Sequence, residues 1–463
     1  PINAIALARN TARCCPSHPL AHSTHTALHL LIHTLQNAGY TSTGMGKVFH
    51  PVAYKGKKDD IAGGSWTAPY FQPGRGEDNA FKLSETNCGV AAPVEDESQY
   101  TDGMTANHAV EVLTNNSKTR DATGQPFFVA VGFHRPHLPW VVPSKYFDLY
   151  DPKSISLADH NTMPKDYNST GAQPWSWDPQ SGPRHCQPLY NMSYVPSGSP
   201  PQLPEYGLVP DKDALHFRRS YYAAVSFMDG RFGLVLDTLE QLGRDKDTIV
   251  AFVGDHGWQL GDLGEFGKKT NFERATRTPF IIRNPMMKAN AAGTRSNALV
   301  EFVDIMPTLI DLALGAPPPL CPADSSAVAL CTEGRSLKKV MASPTTTADL
   351  YPAAFMQYAT CMHDDRLWHD GCNNSTEPHV MGYAMRTRQY RYIEWIHFDK
   401  TVSPSAQWQL PVLGTEMYDH TTADSVKNAA EAVNLAGDPA HEATRMELSK
   451  QLRAGWRAGL ALN

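Results

Sequence analysis

Short continuous apolar runs separated by stretches of helical periodicity organise this chain. Gln125 to Gly132 is a compact apolar strand, Thr248 to Val253 and Thr278 to Arg283 are further strands, and Arg219 to Leu242 has the spacing of a helix. Thr34 to Gly46 reads as a helix end, a turn at Gly39-Tyr40 and a short strand. Buried strands alternating with helices predict an α/β fold with a mostly parallel sheet covered on both faces. From Asp151 to Pro210 the sequence turns rich in Pro, Ser, Asn and aromatics without a period, as expected for a lid or substrate wall. From Leu350 onwards the pattern changes. Met381 to Trp395 reads as two strands around a turn at Thr387 to Gln389, predicting a small antiparallel sheet. Leu448, Leu452, Trp456 and Leu460 recur at four-residue spacing and predict an amphipathic helix docked on the body.

A length of 463 residues suits one large α/β domain with a smaller unit appended. The net charge of -6 shows no basic stripe of the kind that recruits nucleic acid or an anionic membrane surface, and neither partner is expected. No apolar run is long enough to span a bilayer, and no opening segment reads as a signal peptide; because the chain opens on Pro1, a processed or upstream N-terminus is expected. The eight cysteines include two pairs, Cys321 with Cys331 and Cys361 with Cys372, that bracket loops short enough to close as disulfides. N-x-S/T sequons begin at Asn115, Asn168, Asn191, Asn373 and Asn374. Together these point to a secreted or lysosomal protein, against the alternative that sequons arise by chance in a long polar chain.

Chemistry concentrates where strands end. Thr248 to Val253 runs into Asp255-His256-Gly257-Trp258, and Lys268 follows shortly after. Residues just past the carboxyl end of a buried strand project into the crevice where open α/β sheets bind ligands. A carboxylate and an imidazole there can ligate a cation, and a lysine can meet an anionic oxygen. Lys47 and His50 in Gly46-Lys47-Val48-Phe49-His50-Pro51, His137 in His134-Arg135-Pro136-His137, and Cys14-Cys15-Pro16-Ser17 complete the candidate set. Each has a plain alternative: a strand-end cap, a surface lysine, a core histidine, a buried thiol.

These motifs, with Met381 to Arg386 and Glu416 to Asp419, resemble in content and order those of the sulfatases, of the iduronate-2-sulfatase type, from about residue 29 to the chain end. The resemblance implies an alkaline-phosphatase-like core of helices around a mixed, mostly parallel sheet over residues 1–345, and a smaller C-terminal α+β subdomain over residues 346–463. It implies hydrolysis of sulfate esters on sulfated carbohydrates such as glycosaminoglycan uronates, through a calcium-bound formylglycine derived from Cys14 by a formylglycine-generating enzyme. Asp255 and His256 would be calcium ligands; Lys47 and Lys268 would hold sulfate oxygens; His50 and His137 would move protons. Trp258 would wall the sugar and Arg386 would read its carboxylate, with local packing or an ion pair as the alternative for each. A Cys321 to Cys331 disulfide is implied as well.

The sequence also departs from that pattern. The family's opening strand, ending in paired aspartates, is expected to be missing or divergent, because nothing before Cys14 supplies those carboxylates. His18 stands where the formylglycine motif has arginine, Pro19 to Leu30 do not match the helix expected there, and Leu263 stands where a histidine is often found. A catalytically impaired relative that binds sulfated glycans, or a phosphoester hydrolase of the same superfamily using a hydroxyl such as that of Ser17, are the alternatives.

Overall fold

The computed structural model describes residues 3–7, 23–48, 65–73, 89–161, 209–268, 270–287, 292–322, 324, 328, 330–345, 351–363, 366–368, 380–399, 401–402, 404–421 and 431–458. The strands of the first unit are β1 (Asn3–Leu7), β2 (Thr41–Gly46), β3 (Gly89–Ala92), β4 (Phe127–Gly132), β5 (Trp140–Pro143), β6 (Thr248–Val253), β7 (Gln259–Leu260), β8 (Phe266–Gly267) and β9 (Phe280–Arg283). Its helices are α1 (Ser23–Asn37), α2 (Thr101–Thr123), α3 (Ser144–Asp148), α4 (Asp211–Gln241), α5 (Glu273–Thr276), α6 (Ile305–Leu314) and α7 (Lys338–Ala342).

The central sheet has the order β2-β4-β1-β6-β9, parallel except for β9, which runs antiparallel to β6. Burial on both faces explains the continuous apolar runs. In β4, Phe128 and Ala130 pack with Leu31, Ile32 and Leu35 of α1 and Leu309 of α6. The intervening Phe127, Val129 and Val131 pack with Ala106 and Leu113 of α2 and Val235 and Leu239 of α4. Alternation of side chains across the strand makes every position apolar when helices cover both sides.

The expectation of a missing first strand needs correction. Asn3–Leu7 sits at the centre of the sheet, hydrogen-bonded to β4 and β6. Its register is anchored by a polar residue: buried Asn3 donates through Nδ2 to Asp247 Oδ1 at 3.3 Å and accepts the Phe127 backbone N–H at 3.2 Å. A run of five residues that opens on asparagine and includes two alanines is too weakly apolar to be read as a central strand. Ala8 and Arg9 follow it, not aspartates. Helix α1 likewise forms from Ser23 although that stretch departs from the family's sequence.

The C-terminal unit is an antiparallel sheet, in order β11-β10-β12-β13-β14, of β10 (Ala354–His363), β11 (Arg366–Trp368), β12 (Val380–Arg386), β13 (Tyr390–His397) and β14 (Gly414–Asp419), with helix α8 (Glu442–Ala454). One sheet face meets the first unit, where Val380, Ala384, Ile393 and Trp395 pack on Leu263 and Phe272. The other carries α8, whose Leu448 and Leu452 pack on Met385, Tyr392 and Met417. Trp456 lies beyond the helix end, and Leu460 lies outside the described residues.

Cys321 and Cys331 are joined, with Sγ atoms 2.03 Å apart; Cys372 lies outside the described residues, as do the sequon asparagines other than Asn115. Asn115 is exposed on α2 rather than in a turn. Most of the Asp151 to Pro210 stretch, from residue 162 to 208, is likewise outside them.

Candidate active site

Because β1, β2, β4 and β6 are mutually parallel, their carboxyl ends share one edge of the sheet. Lys47 follows β2, the His134 to His137 turn follows β4, and Asp255-His256 follows β6. Cys14 follows β1, the strand between β4 and β6; Cys14, Ser17, His18 and His50 themselves lie outside the described residues.

The Lys47 turn depends on a close backbone approach. Gly46 has φ +67°, and a Cβ there would lie 2.1 Å from the Gly132 carbonyl oxygen. Glycine alone accepts both conditions. The Lys47 N–H then donates to that carbonyl at 2.7 Å, while the Tyr70 hydroxyl donates to Gly46 O at 2.5 Å and accepts from Val48 N at 3.2 Å. Lys47 is left only 4% exposed.

Asp102, at the start of α2 and buried, fixes the next turn. Its carboxylate accepts the backbone N–H groups of His134 at 2.6 Å and Arg135 at 2.8 Å. Burial would raise the Asp102 carboxyl, but the His134 hydrogen bond and the charges of His134 and Arg135 hold it below its ordinary value. His137 Nδ1 lies 2.6 Å from Leu138 O, so Nδ1 carries the ring proton and Nε2 is the basic nitrogen.

The Asp255 turn gathers the densest chemistry. Asp255 is 5% exposed, and its Oδ1 lies 3.5 Å from His256 Nε2. His256 Nδ1 lies 2.7 Å from Gly257 O, which places that ring proton on Nδ1; Nε2 faces Lys268 Nζ at 2.7 Å and accepts from the ammonium. Lys268 reaches there because β7 and β8 form a small antiparallel ladder that returns the chain to the turn. Trp258 lies beside the cluster, its ring centroid 6.3 Å from that of His256 and 5.9 Å from Lys268 Nζ. It also stacks on Tyr221, with ring centroids 6.3 Å apart.

Arg386, expected at the sugar, has a different partner. Its Nε lies 3.2 Å from Glu273 Oε2, and its Nη1 donates to Thr387 O. The ion pair is the structure's choice, because the arginine at the end of β12 is mostly buried against α5, where the nearest carboxylate neutralises it. Arg391 bridges the same Glu273 and Glu431, and His420 Nε2 lies 2.7 Å from Glu431 Oε1. Burial alone would raise Glu273; Arg391, Arg386 and His420 bring it down to about 2. Glu273, His420 and Glu431 converge closely enough to hold a metal, but the Arg391 guanidinium already bonds both carboxylates. Asp102 and Glu273 are the residues that the sequence did not announce.

Calcium is the ion that the resemblance implies, and it takes about six to eight oxygen ligands. The Asp255 turn offers one carboxylate and an imidazole whose lone pair already faces an ammonium. Among the described residues, the donors of the Asp255 turn by themselves do not fit a calcium cage.

The sulfatase family profile matches residues 10–316. Iduronate 2-sulfatase of Mus musculus is 32% identical over 399 residues, covering 78% of this chain and 69% of that protein. Its Homo sapiens counterpart is 31% identical over 398 residues, with the same coverage. Among solved structures, the phosphonate monoester hydrolase of Silicibacter pomeroyi shares the fold at a TM-score of 0.61, with 23% identity over 93% of this chain and 80% of its own. On the profile match, the curated relatives and the α/β architecture, this chain belongs to the sulfatase family of sulfuric ester hydrolases.

Proposed function

We propose that the chain hydrolyses sulfate esters on sulfated sugars, glycosaminoglycan uronates among them, in the manner of the iduronate-2-sulfatase type. The observation that carries this reading is the Lys268 ammonium held 2.7 Å from His256 Nε2, on the sheet edge that Lys47 shares. Two ammonium groups are suited to a tetrahedral anion, since preorganised positive charge stabilises the transferred group as its negative charge builds. Among the histidines, His137 keeps Nδ1 on a carbonyl and presents Nε2 as the atom that takes a proton and returns it to the leaving alkoxide. Its imidazolium is the acid that a sugar leaving group requires. Formylglycine, if formed from Cys14 by a formylglycine-generating enzyme, would supply through its hydrated aldehyde the hydroxyl nucleophile that a thiol does not. The choice of a uronate rests on the family likeness, because Arg386 is held by Glu273.

A secreted or lysosomal setting belongs to the same reading, supported by the sequons and the Cys321 to Cys331 bond. Among the described residues no helix is long and apolar enough to cross a membrane.

The test is sulfate release from a 2-O-sulfated uronate disaccharide, with a phosphate monoester assayed in parallel and Cys14 read by peptide mass spectrometry. Sulfate release by protein carrying formylglycine, lost in Cys14→Ala, is the expected result. Phosphate-ester turnover that survives Cys14→Ala would replace the reading with a phosphoester hydrolase, and tight binding without turnover would replace it with a glycan-binding role.

A further inference from the structure

The turn that carries Asp255 and His256 is pressed against one segment, Glu273 to Pro279, at both of its ends. At the near end, Gly254 N–H donates to Pro279 O at 3.0 Å, and a Cβ on Gly254 would lie 2.1 Å from Thr278 Oγ1. At the far end, Gly257 N–H donates to Ala275 O at 2.8 Å, and a Cβ on Gly257 would lie 1.9 Å from Arg274 O. Contacts this close leave the turn no slack: where α5 sits decides where the His256 ring sits.

The four-residue α5 is too short to hold its own position by helix propagation. Its position is fixed from the C-terminal unit. Arg391, on β13 and 1% exposed at its side chain, bonds Glu273 Oε2 through Nη2 and reaches Thr276 Oγ1 at 3.0 Å with the same nitrogen. Arg391 Nε donates to Glu431 Oε1 at 2.6 Å, and Glu431 Oε2 accepts the Glu273 backbone N–H at 2.7 Å. Arg386, on β12, adds a bond to the same Glu273 oxygen. The first and last residues of α5 are thus bonded to groups from β12, β13 and the segment after β14. A fork of guanidinium bonds fixes orientation as well as distance, which a point charge does not.

We propose that Glu273 is a positioning residue: clamped by Arg391 of the C-terminal sheet, it holds α5 in the place that orients His256 towards Lys268. The C-terminal sheet thereby becomes part of the reacting site without touching substrate. This rests on the reading of Asp255, His256 and Lys268 as the reacting cluster, and its test has a readout that needs no turnover.

Glu273→Gln and Thr276→Val would be compared with the parent protein. Glu273→Gln removes the charge from the clamp, and Thr276→Val removes a single hydroxyl, so the second remains informative should the first not fold. The ring Cε1–H signal of His256 would be followed by two-dimensional NMR, with exposed His33 on α1 as the internal control. The expected result is a displaced or broadened His256 signal with His33 unmoved, and a fall in kcat of about 10- to 100-fold at little-changed KM for Glu273→Gln, smaller in the same direction for Thr276→Val. A folded Glu273→Gln or Thr276→Val protein whose His256 signal and kcat both match the parent would overturn the proposal. A His256 displacement in a protein without sulfatase activity would uphold the positioning role and remove the sulfatase reading instead.

Discussion

Lys268 Nζ and His256 Nε2 face each other at 2.7 Å, twelve residues apart in the chain, with His256 just before β7 and Lys268 just after β8, which pair antiparallel. With His256 Nδ1 bound to the Gly257 carbonyl, Nε2 is an acceptor and Lys268 is its donor. The ammonium therefore fixes the imidazole while it adds positive charge to the pocket. Lys268→Met removes both effects, and kcat/KM for a sulfate ester is expected to fall about 100- to 1000-fold, the range found when one preorganised donor is lost. Lys268→Arg keeps the charge but spreads it over a planar fork, so it should recover only part of the loss in steady-state kinetics.

Gly46 tests the Lys47 turn without touching a charged group. Gly46→Ala places a methyl at φ +67° and 2.1 Å from the Gly132 carbonyl oxygen. The left-handed backbone costs roughly 1 kcal/mol by itself. The overlap with main-chain atoms adds to it, since neither strand end can retreat without breaking the Lys47 to Gly132 hydrogen bond. Urea unfolding should show a lower midpoint. Activity per folded molecule should fall as well, because the Lys47 ammonium is carried by the residue that must move.

What could be read in the sequence followed from local burial. Strands β4 and β6 announced themselves because helices cover both faces and nearly every position is apolar. Lys47, Asp255 and His256 could be placed as candidates because they stand one, two and three residues past the ends of β2 and β6. Strand β1 was not, since its register depends on Asn3 meeting Asp247 and Phe127 across more than a hundred residues. Asp102 and Glu273 were hidden for a related reason: their partners His134, Arg386 and Arg391 lie 32, 113 and 118 positions away, and nothing near either carboxylate marks it. The Glu273 partner of Arg386 was hidden in the same way. An arginine's charge is visible in a sequence, but the buried carboxylate that neutralises it is not.

The donor set at the Asp255 turn predicts a weak response to calcium. One carboxylate beside an imidazole that already accepts from Lys268 leaves a hard cation short of oxygens and facing an ammonium. Ligands that bind only the folded state raise the melting temperature in proportion to their saturation of it. Differential scanning calorimetry in excess chelator and in added calcium should therefore give melting temperatures within about 1 °C of each other. A calcium-dependent rise would mean that oxygens outside this turn complete a cage around Asp255.

Two glutamates, half-buried Glu301 and buried Glu273, should shape stability against pH in opposite directions. Glu301, just before α6, accepts the Phe355 N–H at 2.5 Å at the start of β10 and lies beside Asp304, whose Oδ2 accepts the Glu301 N–H at 2.8 Å. Burial, with the Asp304 charge adding to it, pushes Glu301 up to about 7 from its ordinary 4.5. Between those values the folded protein keeps a proton that the unfolded chain has released, so this contribution is complete below about 4.5 and is lost as pH rises to about 7. Glu273, held at about 2 by the charges of Arg391, Arg386 and His420 against its burial, behaves in the reverse sense. Its contribution is complete above 4.5 and is lost as pH falls towards about 2. These two contributions are together largest near the ordinary glutamate value. Glu301→Gln keeps the oxygen that accepts from Phe355 and cannot ionise, so it should flatten the decline between pH 5 and pH 7 while leaving the acid limb governed by Glu273 intact. Melting temperatures across that range for the parent and Glu301→Gln decide the matter, and parallel curves would show that Glu301 does not carry the neutral-side loss.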